Sequence, residues 1–593
     1  MVQGALFTRD YLDEAIVGSE SWLAIDGGAV AAFRAAVLEV FRRFPTGKRP
    51  NEAVTEEDLI WPVLGHLGWH LSLRQINLSP KGMDHKPDGL LLADEAAKER
   101  ANTRNEEWKR YADCVAIVES KRWQRELDRK GSHKDDLGVP STQMIRYLDR
   151  LNIVTSGKVR WGILTNGRYW RLYYHGATSV AEEFLELDLA ALVGVPGIER
   201  DLFDGDPTHE LKLFMVMFGP AAFRPGTDGR TFHQVARDEG RQWEQRVTKN
   251  LSDLVFDKVF PVLVRGIVAV DPERPHPDVP AYLDEVRDAA LILLYRLLFV
   301  LYAEDRDLLP ARHRGYDDYG MRKRVREDIR KRIDDQDVFM AEGGEYYPHM
   351  LRLFKRIDKG APSIGLPPYN GGLFASGRYG SRILDRIELP DSLFAPLIDI
   401  LSRDDDGRQK KWINYRDLSV QHLGSIYERL LENEVKLRDG EVIVGGDGEA
   451  RHASGSFYTP EAPVQLIISQ AVGPLLTERL EAFHRKVEEL AADTRTKADR
   501  LVELQHLDPA SRMLEIKVCD PAMGSGHFLV SLVDYLGDRV LAAIAEAEAA
   551  VTWGEYNSPL VENIAKIRDG ILAHAREGIV PAAVANLRWV SLP

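Results

Sequence analysis

Residues 115–123, VAIVESKRW, carry an apolar, β-branched run that breaks into Glu119-Ser120-Lys121. Residues 115–118 read as a buried strand. Side chains alternate faces along a strand, so Glu119 and Lys121 point to the same side, two positions apart. A carboxylate and an ammonium at the end of a buried strand can hold a metal ion and a water together. Upstream, HKPDGLLLAD places Pro87-Asp88 just before a second apolar strand at 90–92. A divalent metal held there would polarise a bound oxygen and lower the pKa of a bound water. Hard divalent cations such as Mg²⁺ take oxygen ligands. Asp88 and Glu119 are the candidate metal ligands, with the Ser120 carbonyl as a further oxygen. Lys121 is placed to orient the water or to offset developing negative charge.

A second group of residues lies near the other end. DPAMGSGHF, residues 520–528, follows the apolar run LEIKVC and opens a helix. The pattern predicts strand, Gly-containing turn, helix over 514–536. Gly524 and Gly526 let the backbone approach a ligand, and a helix N-terminus favours polar contacts there. His527 reads as a helix-start residue. A lone Gly-x-Gly is a weak signal; the whole string is a strong one.

Several elements must position these residues. NEAVTEEDLIWPVLGHLGW reads as a helix ending at Gly68, with Glu52, Glu56 and Glu57 near its start. STQMIRYLDRLN reads as a helix capped by Ser141 or Thr142. Gln143 and Tyr147, four apart, share one face of it, beside the Glu119 strand. VRWGILTNGRYWRLYYH reads as a hairpin around Asn166-Gly167. From about 205 to 440 the pattern is helical. It includes a core helix at 290–305, interrupted by Arg296, and the loop LPPYNGGLF. It also includes a basic helix with seven Lys/Arg at 321–332, which reads as a solvated face balanced by Glu327 and Asp328. LGSIYERLLENEV (423–435) reads as an amphipathic helix, RDGEVIVGGDGEARHASG as a loop, and 475–504 as one long charged helix.

Length and composition bound the rest. At 593 residues the chain has room for three or four domains. A net charge of −14 excludes a global basic footprint, so any DNA contact must come from local Lys/Arg patches. The two cysteines, Cys114 and Cys519, form neither a disulfide framework nor a zinc cluster, which suits a reducing cytoplasm. The N-terminus has no signal-peptide organisation, and the apolar helix at 290–305 is too short to span a bilayer. The sixteen histidines show no metal-ligand spacing.

Pro87-Asp88, Glu119-Ser120-Lys121 and Gln143-x-x-x-Tyr147 resemble the PD-(D/E)xK nucleases of restriction enzymes. The resemblance implies Gln143 as part of the catalytic set, and a helix carboxylate matched by Glu52 first and Glu56 next. DPAMGSGHF resembles the S-adenosyl-L-methionine loop of DNA N6-adenine methyltransferases, with Met523 where a cysteine is usual. GSFYTP (455–460) resembles their companion motif. The implied cofactor-binding residues are Tyr458, Thr459 and Pro460 with Asp520, Ala522, Gly524, Gly526 and Phe528. The family's catalytic Asn/Asp-Pro-Pro-Tyr/Phe loop does not follow residue 528. The nearest string, Leu366-Pro-Pro-Tyr369, precedes the cofactor loop and begins with leucine. The order nuclease, connector, methyltransferase is similar to single-chain type IIG restriction-modification enzymes, and YAEDRDLLP, YNGGLF and LGSIYERLLE extend the likeness into the connector. An α/β multidomain architecture is implied: nuclease 1–204, helical connector 205–440, and the N-terminal part of a Rossmann-like methyltransferase at 441–593. The expected function is a Mg²⁺-dependent endonuclease on double-stranded DNA with an S-adenosyl-L-methionine-binding but incomplete methyltransferase module, serving phage defence. The chain is then expected to be the first part of a larger protein, or to work with a second chain carrying the missing half and the target-recognition domain. The alternative is a non-catalytic DNA- or cofactor-binding subunit of a split complex.

Overall fold

The computed structural model describes residues 2–570 apart from 46, 48–49, 79–85, 129–138, 178–179, 181–182, 201–204, 227, 276–279, 312–313, 370–371, 378–380, 406–409, 419–423, 425, 427–433, 439–440, 446–458, 460, 524–525, 565 and 568–569.

The N-terminal third is built on one sheet. Its strands are β1 (Val2–Gln3), β2 (Ser72–Arg74), β3 (Gly89–Leu91), β4 (Ala116–Ser120), β5 (Trp161–Thr165), β6 (Tyr169–Tyr174) and β7 (Phe184–Asp188). They lie in the order β1-β7-β6-β5-β4-β3-β2. β4 and β5 run parallel, and their other neighbours pair antiparallel. A parallel pair needs a crossover, and here it carries the helix Pro140–Val154. The expected hairpin is present as β5 and β6, and Asn166 Oδ1 accepts the N–H groups of Arg168 (3.0 Å) and Tyr169 (2.8 Å) in its turn.

Alternation along the strands makes two cores. Leu91, Ala116, Val118, Ile163, Trp170, Leu172 and Leu187 face the helices Gly27–Arg43 and Pro207–Phe218. Leu90, Ile117, Leu164 and Tyr173 face Met144, Leu148 and Leu151 of the Pro140–Val154 helix. Burial of such side chains stabilises by about 1.5–3 kcal/mol each. The helix bearing Glu52 is continuous through Glu52–Thr55, a π-helical turn Glu56–Ile60, and Trp61–His66. Asn51 caps it, its Oδ1 accepting the Val54 N–H at 2.9 Å.

A separate core surrounds the helix Pro280–Asp305. Arg296, the charge inside that apolar helix, is buried and donates to the carbonyls of Leu373 (2.8 Å) and Ala375 (3.0 Å). It thereby ties the helix to the LPPYNGGLF stretch. The basic run is largely neutralised, though by other partners than expected: Lys323 pairs with Asp317, Arg326 with Asp305, Arg330 with Asp334 and Arg332 with Asp337.

In the last part, Glu461–Ala471, Gly473–Ala491 and His527–Ala550 pack around Val464, Ile468, Leu476, Met513, Leu532 and Ile544. His527–Ala550 also packs against Pro140–Val154. Among the described residues, no helix is long and apolar enough to cross a membrane.

Five sequence expectations need correction. Residues 514–519 form no strand: they have no ladder partner among the described residues, and Leu514 and Val518 are exposed. The expected single helix over 475–504 is two, Gly473–Ala491 and Lys497–His506. Asp493 takes the Arg495 N–H at 2.8 Å, and Thr496 caps the second helix; such side chains compete with the helical ladder. Glu434 and Val435 are not helical but open the strand Glu434–Arg438, which pairs with Glu441–Gly445 where a loop was expected. The Pro140–Val154 helix has Val139, not Ser141 or Thr142, at its N-cap, because Pro140 already occupies the first turn.

Candidate active site

Asp88 precedes β3, and Glu119 lies on the neighbouring β4. The Asp88 carboxylate is buried; its Oδ2 accepts the Ser120 N–H at 2.7 Å and its Oδ1 accepts Gln75 Nε2 at 3.0 Å. Glu119 is 2% exposed. Its Oε1 accepts Lys121 Nζ at 2.6 Å, while its Oε2 is buried with no hydrogen-bond partner. Lys121 Nζ also reaches Glu52 Oε1 at 3.4 Å, so the helix carboxylate joins the site from the side.

Electrostatics follow from two acids sharing a dry place with one ammonium. Burial, then the neighbouring Glu119, pushes the Asp88 carboxyl up to about 8, against Lys121 and the Ser120 N–H. Burial raises Glu119 as well, opposed by Lys121. Burial alone would lower Lys121, but Glu119, Glu52 and Asp88 raise it. Two buried carboxylates with a single cation between them favour a further positive charge.

Gln143 and Tyr147 do share a face. Gln143 Nε2 donates to the Tyr147 hydroxyl at 3.0 Å. Burial, then Glu119, pushes that hydroxyl up to about 12, so it is Tyr147 that faces the carboxylates electrostatically, with Gln143 fixing it. Glu56 is turned aside: its Oε1 accepts Trp61 Nε1 at 2.8 Å. Of the two candidate helix acids, Glu52 is the one bonded to Lys121.

Gln75, Thr55 and Arg171 support the site without having been singled out from the sequence, and Asn166 does so beyond its expected part in the hairpin. Gln75 bonds Asp88, and nothing in its local sequence marks it. Thr55 Oγ1 accepts the Trp123 N–H at 3.0 Å, and Asn166 Nδ2 donates to the Arg125 carbonyl at 2.7 Å, together pinning the chain that leaves Lys121. Arg171, a charge inside an apolar strand, is the detectable one. Its guanidinium is bidentate to Asp128 (2.6 and 2.7 Å) and donates to Glu186 at 2.6 Å.

The residues fit a hard cation. Glu119 Oε2 is an orphaned buried acceptor next to Asp88, and Mg²⁺ is commonly held by one or two carboxylates while keeping waters. Among the described residues, no group of three or more His, Cys, Asp or Glu side chains is arranged as a complete cage.

The second candidate site is less assembled. Asp520 Oδ1 accepts the Ala522 N–H at 3.0 Å, and Asp520 Oδ2 is buried without a partner. Gly526 stands at φ +85°, ahead of the helix that holds Phe528. Tyr458, Pro460 and Gly524 lie outside the described residues, and Thr459 is half-buried. The strand expected to lead into this loop at 514–519 is not formed.

No family model matches the chain. A curated relative from Methanocaldococcus jannaschii, provisionally named a type II restriction enzyme and methyltransferase, is 23% identical over 545 residues. The match covers 84% of this chain and 40% of the relative, so the chain spans well under half of that protein's length. No solved structure matches.

Proposed function

We propose that this chain is the cutting part of a restriction-modification protein of phage defence: a Mg²⁺-dependent endonuclease on double-stranded DNA, joined by a connector to an S-adenosyl-L-methionine-binding adenine-methyltransferase module. The corresponding domains are 1–204, 205–440 and 441–593. The observation that carries the reading is the Glu119–Lys121 pair at 2.6 Å, beside Asp88, with Glu119 Oε2 free of any partner. The name of the Methanocaldococcus relative supports the same class of protein.

Asp88 and Glu119 would hold the cation. When bound, Mg²⁺ polarises the phosphate and makes its water a better nucleophile. Lys121, kept protonated by its carboxylates, donates to the water and offsets charge gathering on the phosphate oxygens. Glu52 steers the Lys121 ammonium, and Gln143 holds the Tyr147 hydroxyl beside the site. The test is DNA cleavage in Mg²⁺ by the full chain. Asp88→Ala and Glu119→Ala should each lose activity below detection with the fold intact; full cutting by the Glu119→Ala protein overturns the assignment.

The methyltransferase module carries the string DPAMGSGHF but no Asn/Asp-Pro-Pro-Tyr/Phe loop, so transfer of label from S-adenosyl-L-methionine to DNA by this chain should stay at background. A second reading, a subunit that works only with a partner chain, is favoured by the unpaired, exposed segment at 514–519.

A further inference from the structure

We infer that Gln75 is a positioning residue that presents Asp88 to the cation. The inference rests on the nuclease reading and names a residue to which neither the sequence pattern nor the comparison assigns a role.

Gln75 directly follows β2, whose last residue Arg74 pairs with Gly89 of β3. Its backbone stands at φ +53°, a left-handed conformation that side chains other than Asn, Asp and His adopt seldom. Such residues concentrate where surrounding structure forces them, often at functional sites. Here the turn is clamped on both sides. Its N–H still reaches the Asp88 carbonyl at 3.4 Å. The preceding Arg74 guanidinium stacks 4.1 Å from the centre of the Trp61 ring. The left-handed turn ends the β2–β3 ladder, and the side chain doubles back so that Nε2 meets Asp88 Oδ1 at 3.0 Å.

The consequence is a carboxylate held by both oxygens. Ser120 N–H fixes Oδ2 and the Gln75 amide fixes Oδ1. One donor belongs to β4, the other to the turn after β2, so the plane of Asp88 is set by two neighbouring elements at once. Each carboxylate oxygen keeps a second lone pair, so two donors orient the group without using up its capacity for a cation. Glu119 Oε2, bare and buried, supplies the other half of the same site. Donors behind a ligand's oxygens fix its orientation, and losing one typically weakens metal binding by about 10–100-fold.

The experiment is calorimetric titration of the full-length chain with Mn²⁺, using the wild type, Asp88→Ala, Gln75→Ala and Gln75→Gly. Gln75→Gly removes the amide but suits the left-handed backbone, so it separates a lost contact from a folding defect; thermal melts accompany each variant. Both Gln75 variants should bind Mn²⁺ about 10-fold more weakly. The Mg²⁺ concentration for half-maximal cleavage should rise in parallel, with the rate at saturating Mg²⁺ within a few fold of wild type. Mn²⁺ binding lost in Asp88→Ala but unchanged in Gln75→Gly overturns this inference alone. No binding by the wild type, or binding indifferent to Asp88→Ala, overturns the nuclease reading and this inference with it.

Discussion

Glu119 and Arg171 stand in one lateral row of the sheet. Glu119 is paired with Leu164, Leu164 with Arg171, and Arg171 with Glu186. Paired residues project to the same side, so the candidate metal ligand and the buried guanidinium share the face covered by the Pro140–Val154 helix. The row begins with acid, crosses one apolar side chain and ends in an Arg–Glu pair. The loop leaving the site is fastened to it through Asp128.

Arg171→Met is expected to lose about 1.5–3 kcal/mol of unfolding free energy, because it removes charge-assisted hydrogen bonds to the buried Glu186 and to Asp128. Arg171→Lys should recover only part, since one ammonium cannot reproduce the fork that serves Asp128 and Glu186 together. Asp128→Asn should cost far less, as that carboxylate is 39% exposed. Urea denaturation of the three variants reads the order, and an Arg171→Lys protein as stable as wild type contradicts it.

Lys121 and Glu119 should behave as a coupled pair. Lys121→Met leaves Glu119 uncompensated, a change worth about 3 kcal/mol or more for a buried ion pair. Adding Glu119→Gln should return most of that stability. A double-mutant cycle with no coupling would show that Glu52 alone carries the ammonium.

Gly89→Ala tests the packing beside Asp88. A Cβ at Gly89 would come within 2.6 Å of the Trp61 ring, so the ring must move. Overpacking of this kind costs about 1–3 kcal/mol. Trp61 also holds Glu56, so a shift in tryptophan fluorescence should accompany the loss; an unchanged melt and spectrum would refute the close fit.

A pH dependence is expected where the N-terminal segment meets Asp417. Burial, then Glu14 and Asp417, pushes the Asp10 carboxyl up to about 7 from 3.8. A raised folded-state value for an acid means its contribution is fully present below about 3.8 and is lost as pH rises through about 7. Asp10→Asn removes the ionisation. The variant's melting temperature should therefore gain on wild type between pH 5 and pH 8, and a constant difference across that range would count against it.

What was legible in the sequence was whatever a single strand encodes. Glu119 and Lys121 on one face follow from period-two alternation, and Asp88 beside them follows from the short apolar run it precedes. The hairpin at Asn166-Gly167 is written in its turn residues. Leu514–Cys519 has the same alternation of apolar and polar residues, yet it forms no strand, because a ladder depends on neighbours that local sequence does not describe. The pairing of Arg438 with Glu441 was missed although Asp439-Gly440 between them is itself a hairpin dipeptide; a glycine-rich context hid it. Gln75 was invisible because its part depends on a backbone conformation that its residue type disfavours.

The pairing of Val2–Gln3 with Glu186 and Leu187 sets an order of events on the ribosome. β1 is synthesised long before β7 exists; at roughly 5–20 residues per second the wait is on the order of 10–40 s. Asp417, which accepts the N–H groups of Arg9 at 2.6 Å and Asp10 at 3.0 Å, arrives later still. The segment made first in this region is thus secured last, and nascent chains stalled short of residue 184 should leave it open to protease while the turn bearing Gln75 and the Asp88–Glu119 strands are already in hand.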